Sequence, residues 1–380
     1  MNRTEFVNEV FKTLEEKHIY LYHDISKEEF EKHKQEFLKN VEKLDETHFE
    51  AGMLRLFALF KDAHTAYCGA DFKFVNAKVV PIEKDIYIND NGIYKKIEKV
   101  NGFDVNVVAD KLKELIPYEA ETWAYHIISS QYIVSPTALQ MIDCGASDEE
   151  IVYTCEGNKI VTRKLWTEEE IKQKPPRLPL YESSKFINDE VLYIKYRRCR
   201  NMENYPFVAF MEDVKKEWPV LPRACLVDVR HNSGGSDSVM YPLVKWLRDN
   251  KIKTYALMDE GTFSSGTFAL AYLKMLAQAT LIGMEAGQPN RAYGNCQRHE
   301  VNGKEFISCG RYFELTSCHD ENAPVKPYCQ HHAFDYFGVI RPDIKVKIDI
   351  DALNQGRDNQ LDESLKIIEN DIKKGCEPGC

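Results

Sequence analysis

Three short stretches hold residue types that can do chemistry. In LVDVRHNSGGSDS, residues 226–238, an apolar run meets Asp228, Arg230 and Asn232, and two glycines follow, Gly234 and Gly235. Glycine lets a backbone turn sharply and leaves its N–H uncovered by a side chain. Two such N–H groups aimed at one point cradle an anion, either a phosphate or a developing oxyanion. A tight turn that needs glycine and nothing more is an equal reading of the same residues. In GTFSSGTFALAYL, residues 261–273, Ser264 and Ser265 stand between an apolar strand and a helical pattern. A serine at such a corner is exposed, and the helix N-terminus behind it offers unpaired N–H groups and partial positive charge. Serine is also among the commonest helix caps, and the GxSxG form of a nucleophile elbow is absent. In KDAHTAYCG, residues 61–69, His64 follows an apolar helix. An imidazole that faces a cleft there has the right proton affinity for a general base, although a lone histidine is more often structural.

The elements around these stretches follow from periodicity. Phe6, Val10, Phe11 and Leu14 recur at helical spacing, and Ser26 with Glu29 reads as a capping box. Residues 47–60 are apolar nearly all round, which predicts a buried helix. Residues 72–100 alternate instead, with a turn at Asp90-Asn91-Gly92 and another at Asn101-Gly102. A helical stretch at 107–116 and a strand pair at 150–155 and 159–165 complete a small β-rich module. Prolines 175, 176 and 179 mark a linker. Beyond residue 185 strands (191–196, 224–229, 254–259, 280–284) alternate with helices (207–218, 239–249, 267–276). Repeated βαβ implies a mostly parallel sheet covered by helices on both faces, with ligands gathered at the carboxyl ends of the strands.

Composition bounds the rest. Hydrophobic residues make up 43% and charged residues 29% of 380, and the net charge is -10. This acidic balance argues against nucleic acid and anionic membranes as partners. No window approaches the ~20 apolar residues of a membrane helix, and residues 1–18 lack a signal-peptide core, so a cytoplasmic protein is expected. The 11 cysteines, an odd number, fit free thiols. Cys318, His319, Cys329, His331 and His332, with Cys296 and Cys309, could build a structural zinc site. No CxxC pair is present, however, and buried thiols and exposed histidines are the preferred reading. No metal or cofactor is called for.

Taken in order, DAHT (62–65), DxRxNxGG (228–235), TFSSG (262–266), GQPNRAYGN (287–295) and RPDIKV (341–346) resemble the C-terminal processing, or tail-specific, serine peptidases. The branch with tricorn-core-like and interphotoreceptor retinoid-binding-protein-like domains is the most similar. The resemblance covers most of residues 50–365, and residues 95–115 are similar to part of the family's PDZ-like module. It implies an α/β multidomain protein: a helical region at 1–70, a PDZ-like module at 73–170, a ClpP/crotonase-like catalytic domain at 185–350 with a mostly parallel sheet, and a C-terminal helix and tail at 351–380. It implies a serine endopeptidase that acts on unfolded or C-terminal segments of polypeptides through an acyl-enzyme, with a homo-oligomer allowed. Ser264 matches the nucleophile, with Ser265 one residue away as the rival. Gly234 and Gly235 match the pair that supplies one oxyanion donor, the Ser265 N–H being the other, and Asp228, Arg230 and Asn232 pin the loop. One branch activates its serine with a lysine about two dozen residues downstream, but residues 277–296 contain none. His64 is therefore the expected base, oriented by a carboxylate: Glu321 on spacing, with Glu314 and Glu285 as rivals. Thr267 stands where the family usually has an acid, His231 occupies a variable position, and GMEAGQ replaces the usual GEPTGG-like stretch. These departures leave a second reading, an inactive peptidase-like protein that binds a peptide or apolar ligand.

Overall fold

The computed structural model describes residues 1–172, 178–318 and 325–374. These form two compact units.

The first unit takes residues 1–172, 292–313 and 325–329. It opens with helices Arg3–Lys17, Lys27–Leu38 and Glu46–Ala58. Ser26 caps the second by accepting the Glu29 N–H at 3.1 Å, but the reciprocal half of the box is not formed there. The complete capping box belongs to Asn2 and Glu5 on the first helix. Helix Glu46–Ala58 is buried on most sides through Phe49, Met53, Leu54, Leu56 and Phe57. An antiparallel sheet follows, in the order Val79–Ile82, Asp85–Asp90, Ile93–Val100, Glu150–Cys155, Lys159–Lys164. Asn91 and Gly92, at φ 53° and 90°, make its second hairpin turn, a conformation that asparagine and glycine tolerate best. Leu14, Phe57, Ile88, Leu112 and Tyr153 lie in one hydrophobic core. The helices and the β-rich module, expected as separate domains, thus share a single interior. A hairpin made of 292–301 and 304–313 also belongs here and adds Phe306 to that core. Its residues were expected inside the 185–350 domain; burial of their apolar face decides the matter, not position along the chain.

The second unit takes residues 178–291, 314–318 and 330–374. Its sheet runs Ile344–Lys345, Thr280–Gly283, Lys253–Met258, Ala224–Asp228, Val191–Tyr196, Tyr181–Phe186. All neighbours are parallel except the last pair. The strand Ala224–Asp228 is buried along its whole length, as a central parallel strand should be. Alternation divides its side chains. Cys225 and Val227 join Phe210, Leu243 and Leu270 from the helices Phe207–Glu217, Tyr241–Asp249 and Ser265–Ala277. Ala224 and Leu226 join Ile368 and Leu365 of helix Asn359–Lys374. The three crossover helices therefore cover one face and the C-terminal helix covers the other. The linker prolines 175 and 176 lie outside the described residues.

Candidate active site

Two neighbouring strands of this parallel sheet end in the loops 229–236 and 259–264. Asp228 anchors the first loop. It is fully buried, and its Oδ1 accepts the Arg230 N–H and Nε at 3.0 Å each. Its Oδ2 accepts from Arg230 Nη2 (2.6 Å), Lys195 Nζ (2.8 Å) and the Tyr193 hydroxyl (2.8 Å). Burial alone would raise this carboxyl, but the charges and hydrogen bonds of Arg230 and Lys195 outweigh it and hold it well below the usual range. Arg230 also reaches both oxygens of Asp358, at 2.8 and 2.7 Å, and Gln360 Oε1 at 3.2 Å. A bidentate guanidinium thus ties the loop to the start of the C-terminal helix.

Asn232, also fully buried, holds the glycines. Its Nδ2 donates to Tyr196 O at 2.8 Å and its Oδ1 accepts the Gly234 N–H at 3.0 Å. That N–H is therefore committed, and among the twin glycines only Gly235 has an N–H without an acceptor among the described residues. Gly234 has a conformational role instead. Its φ is +93°, and a Cβ there would lie 2.6 Å from Ser264 Cβ and 2.8 Å from Ser265 N. Gly235, at φ +141°, leaves no room either: a Cβ would come within 2.2 Å of Cys199 O.

The second loop brings the serines to these glycines. Phe263 N–H donates to Asn232 O at 3.0 Å, and a Cβ on Gly266 would strike that same oxygen at 2.2 Å. Ser264 has φ 54° and ψ -130°, a conformation that costs a non-glycine residue ~1–3 kcal/mol and is held by its surroundings. Its N–H donates to Gln288 Oε1 (2.7 Å), from the GQPN stretch. Its carbonyl accepts the Thr267 N–H at 2.8 Å and hydroxyl at 2.7 Å. Thr267, which stands where the family usually has an acid, thus serves as a clamp on Ser264. The Ser264 hydroxyl makes no hydrogen bond among the described residues, and Ser264 caps the helix without using its side chain. The Ser265 hydroxyl donates to Gly235 O at 2.9 Å. As first residue of the helix, Ser265 has an N–H with no intrahelical acceptor. His231 was missed as a positioning residue. At φ 60° it donates its N–H to Asp259 Oδ1 at 2.8 Å and sets its ring Nδ1 2.9 Å from Oδ2, linking the two loops. Asp259 raises the His231 pKa, and His231 in turn brings the buried Asp259 down to about 2 against its desolvation.

His64 lies in the first unit, on a turn built by its motif neighbours. Buried Asp62 accepts the His64 N–H at 3.0 Å on Oδ1 and the Thr65 hydroxyl at 2.5 Å on Oδ2. Ala66 and Cys68 then pair with Ile307 and Glu305 of the hairpin. His18, from the end of the first helix, places Nε2 3.1 Å from Asp62 Oδ2, and its Nδ1 accepts the Tyr20 N–H at 3.0 Å. Since Nδ1 is an acceptor, Nε2 carries the proton and faces Asp62. Burial opposes the charge on Asp62, but the His18 hydrogen bond and the nearby imidazoles outweigh it and hold this carboxyl low. Burial lowers the His64 pKa, partly offset by Asp62, which favours the neutral base. Carboxyl oxygens of Asp62 and Glu119 lie within 4.8 Å of a His64 ring nitrogen and of each other. Glu119 accepts the Ala63 N–H at 3.2 Å on Oε2, while its Oε1 is buried without a hydrogen-bond partner. Desolvation, helped by Asp62, pushes Glu119 up to about 8. Glu119 and His18 carry no local signal in the sequence, since each lies tens of residues from the motif it supports. Of the carboxylates expected from spacing, Glu321 lies outside the described residues, Glu314 is buried in the second unit and Glu285 is half-buried there. His319 of the Cys/His set lies outside the described residues as well, and Cys318 and Cys329 are half-buried thiols.

No protein-family model and no curated protein matches the chain. Solved structures do. Mature CPAF complexed with lactacystin aligns with a TM-score of 0.62 at 10% identity, covering 98% of each chain. Mature CPAF aligns with a TM-score of 0.56 at 10% identity over 93% of this chain and 94% of that one. The photosystem II D1 C-terminal processing protease aligns with a TM-score of 0.48 at 11% identity over 93% and 97%. At such identities the likeness is one of fold, and the fold of this chain is that of the CPAF structures, in keeping with the tail-specific peptidase resemblance of its motifs.

Proposed function

We propose that the protein is a serine endopeptidase that cleaves unfolded or C-terminal polypeptide segments through an acyl-enzyme. The observation that carries this is the corner at Ser264. A Ser264 hydroxyl with no hydrogen bond among the described residues, held at positive φ, stands at the same corner as the N–H groups of Gly235 and Ser265, which have no acceptor among the described residues. Ser264 Oγ attacks the scissile carbonyl, and the resulting oxyanion takes hydrogen bonds from those two N–H groups. Loss of one such donor raises the barrier by ~3–4 kcal/mol. His64 removes the hydroxyl proton and returns it to the leaving amine; water then repeats the sequence on the ester. Glu119 is the carboxyl group assigned to orient His64, because its Oε1 is buried without a hydrogen-bond partner among the described residues, whereas Asp62 already accepts from His18, Thr65 and the His64 N–H. Glu321 remains a rival for that role. Ser264 is assigned as nucleophile over Ser265 because the Ser265 hydroxyl donates to Gly235 O whereas the Ser264 hydroxyl has no hydrogen bond among the described residues. A PDZ-like role for the β-rich module, binding the substrate's tail, and a cytoplasmic setting belong to the same proposal.

The test is labelling with a fluorophosphonate and mapping of the adduct by mass spectrometry. The adduct should sit on Ser264 and vanish in Ser264→Ala. Folded protein that stays unlabelled while it binds peptide would favour the non-catalytic binding reading.

A further inference from the structure

The hairpin of the first unit carries two thiols that the peptidase reading does not use. Its turn is Asn302-Gly303, both at positive φ (48° and 79°), which sets Val301 opposite Lys304. Five positions out from the turn, Cys296 on one strand faces Cys309 on the other. Side-chain pairs agree with this register: the rings of His299 and Phe306 are 5.4 Å apart, and Gly310 lies against Asn295 and Gln297. The backbone shows which kind of pair this is. Cys309 O accepts the Ile19 N–H at 2.8 Å, Ile307 exchanges both its bonds with Ala66, and Glu305 O accepts the Cys68 N–H. Residues 305, 307 and 309 thus aim their polar groups away from the partner strand. Cys296 and Cys309 form a non-hydrogen-bonded pair, in which Cα atoms approach to about 4.5 Å and side chains come closest. That separation falls within the range a disulfide spans, about 4.4–6.8 Å.

The two thiols differ. Cys296 is exposed and Cys309 buried. A hydrogen bond from Cys309 lowers the Cys296 pKa, against its partial burial, whereas burial and the same bond push Cys309 well up. One thiol is therefore accessible and inclined to thiolate, and the other is shielded and protonated beside it. The Cys309 sulfur is also 3.6 Å from the Thr65 hydroxyl, beneath the turn that carries His64.

We propose that Cys296 and Cys309 are a reversible modification site, closed to a cross-strand disulfide by a hydroperoxide. The Cys296 thiolate attacks the peroxide oxygen, the O–O bond breaks, and the alkoxide leaves and takes a proton, so that Cys296 becomes a sulfenic acid. The Cys309 sulfur then attacks the Cys296 sulfur and loses its proton, and the sulfenic oxygen departs as water. In sum two thiols and one hydroperoxide give one disulfide, one alcohol and one water.

The experiment treats the full chain with one equivalent of hydrogen peroxide and digests it without reduction. A Cys296–Cys309 cross-linked peptide should appear, two thiols should be lost, and dithiothreitol should restore both. Cys296→Ser should form no cross-link. Cys309→Ser, if it folds with an unchanged circular dichroism spectrum, should leave Cys296 trapped by dimedone. A cross-link of Cys296 to Cys68, or over-oxidation of Cys296 with Cys309 still a free thiol, would overturn the proposal. None of these readouts depends on peptidase activity.

Discussion

At the scale of the residue, the Ser264 corner gives the sharpest expectations. Ser264→Ala should abolish hydrolysis of an unfolded protein with little change in Tm, while Ser265→Ala keeps most of it; the reverse outcome, seen in a casein-type assay, would move the nucleophile by one position. Gly234→Ala should be nearly as damaging as Ser264→Ala, because the new methyl group needs the space of the Ser264 Cβ. The sequence makes the glycine pair and the serine pair legible, since both are dense local patterns. It does not distinguish the two serines: the proposed choice of Ser264 rests on its φ and on the bond from the Ser265 hydroxyl to Gly235 O, neither of which a residue type encodes. Glu119 was invisible for another reason, because its place beside the DAHT turn is set by tertiary contact. A carboxyl whose folded pKa lies near 8, against about 4.3 unfolded, stays protonated in the native state while the unfolded chain has already ionised. Its contribution to stability therefore declines as pH rises from about 4 to 8. Glu119→Gln should flatten that decline in a Tm–pH series while reducing turnover. Unchanged turnover would return the orienting role to another carboxylate.

At the scale of the element, the loops 229–236 and 259–264 depend on charges buried under them. Asp228 and Arg230 are mutually paired and shielded, so removal of the Arg230 side chain takes two donors from the buried Asp228, leaving Lys195 and Tyr193 on one of its oxygens, and unties Asp358 as well. Arg230→Ala should cost ~3–5 kcal/mol in urea unfolding, well above the ~1 kcal/mol of an ordinary substitution. The His231–Asp259 link adds a pH signature. The folded histidine has a raised pKa, so its stabilisation is complete below its unfolded value near 6.5 and is lost as pH rises through the higher folded value. His231→Gln should remove that loss, seen as a flatter Tm–pH profile above the unfolded histidine value, and should also weaken resistance to acid unfolding, because Asp259 loses the partner that lowers its pKa. Strands 191–196, 224–228 and 280–283 were readable within a residue or so, because a buried parallel strand is a short apolar run between turn signals. The hairpin 292–313 was not: its alternation is diluted by Arg298, His299 and Glu300, and one face of it is covered only by elements distant in sequence.

At the scale of the whole molecule, chain order hides the division into units. The helical region and the β-rich module lack separate interiors, and the hairpin returns to them from beyond residue 290. In the proposed mechanism the base comes from one unit and the nucleophile from the other, so activity requires both. The most direct measurement is the rate at which a fluorophosphonate acylates Ser264 in the wild-type chain and in His64→Gln, followed across pH. The wild-type rate should rise with pH through a value below that of an ordinary imidazole, as the burial of His64 dictates, and His64→Gln should be slower by about 10²–10⁴-fold. Equal rates in the two proteins, or an adduct on a residue other than Ser264, would contradict the Ser264–His64 mechanism.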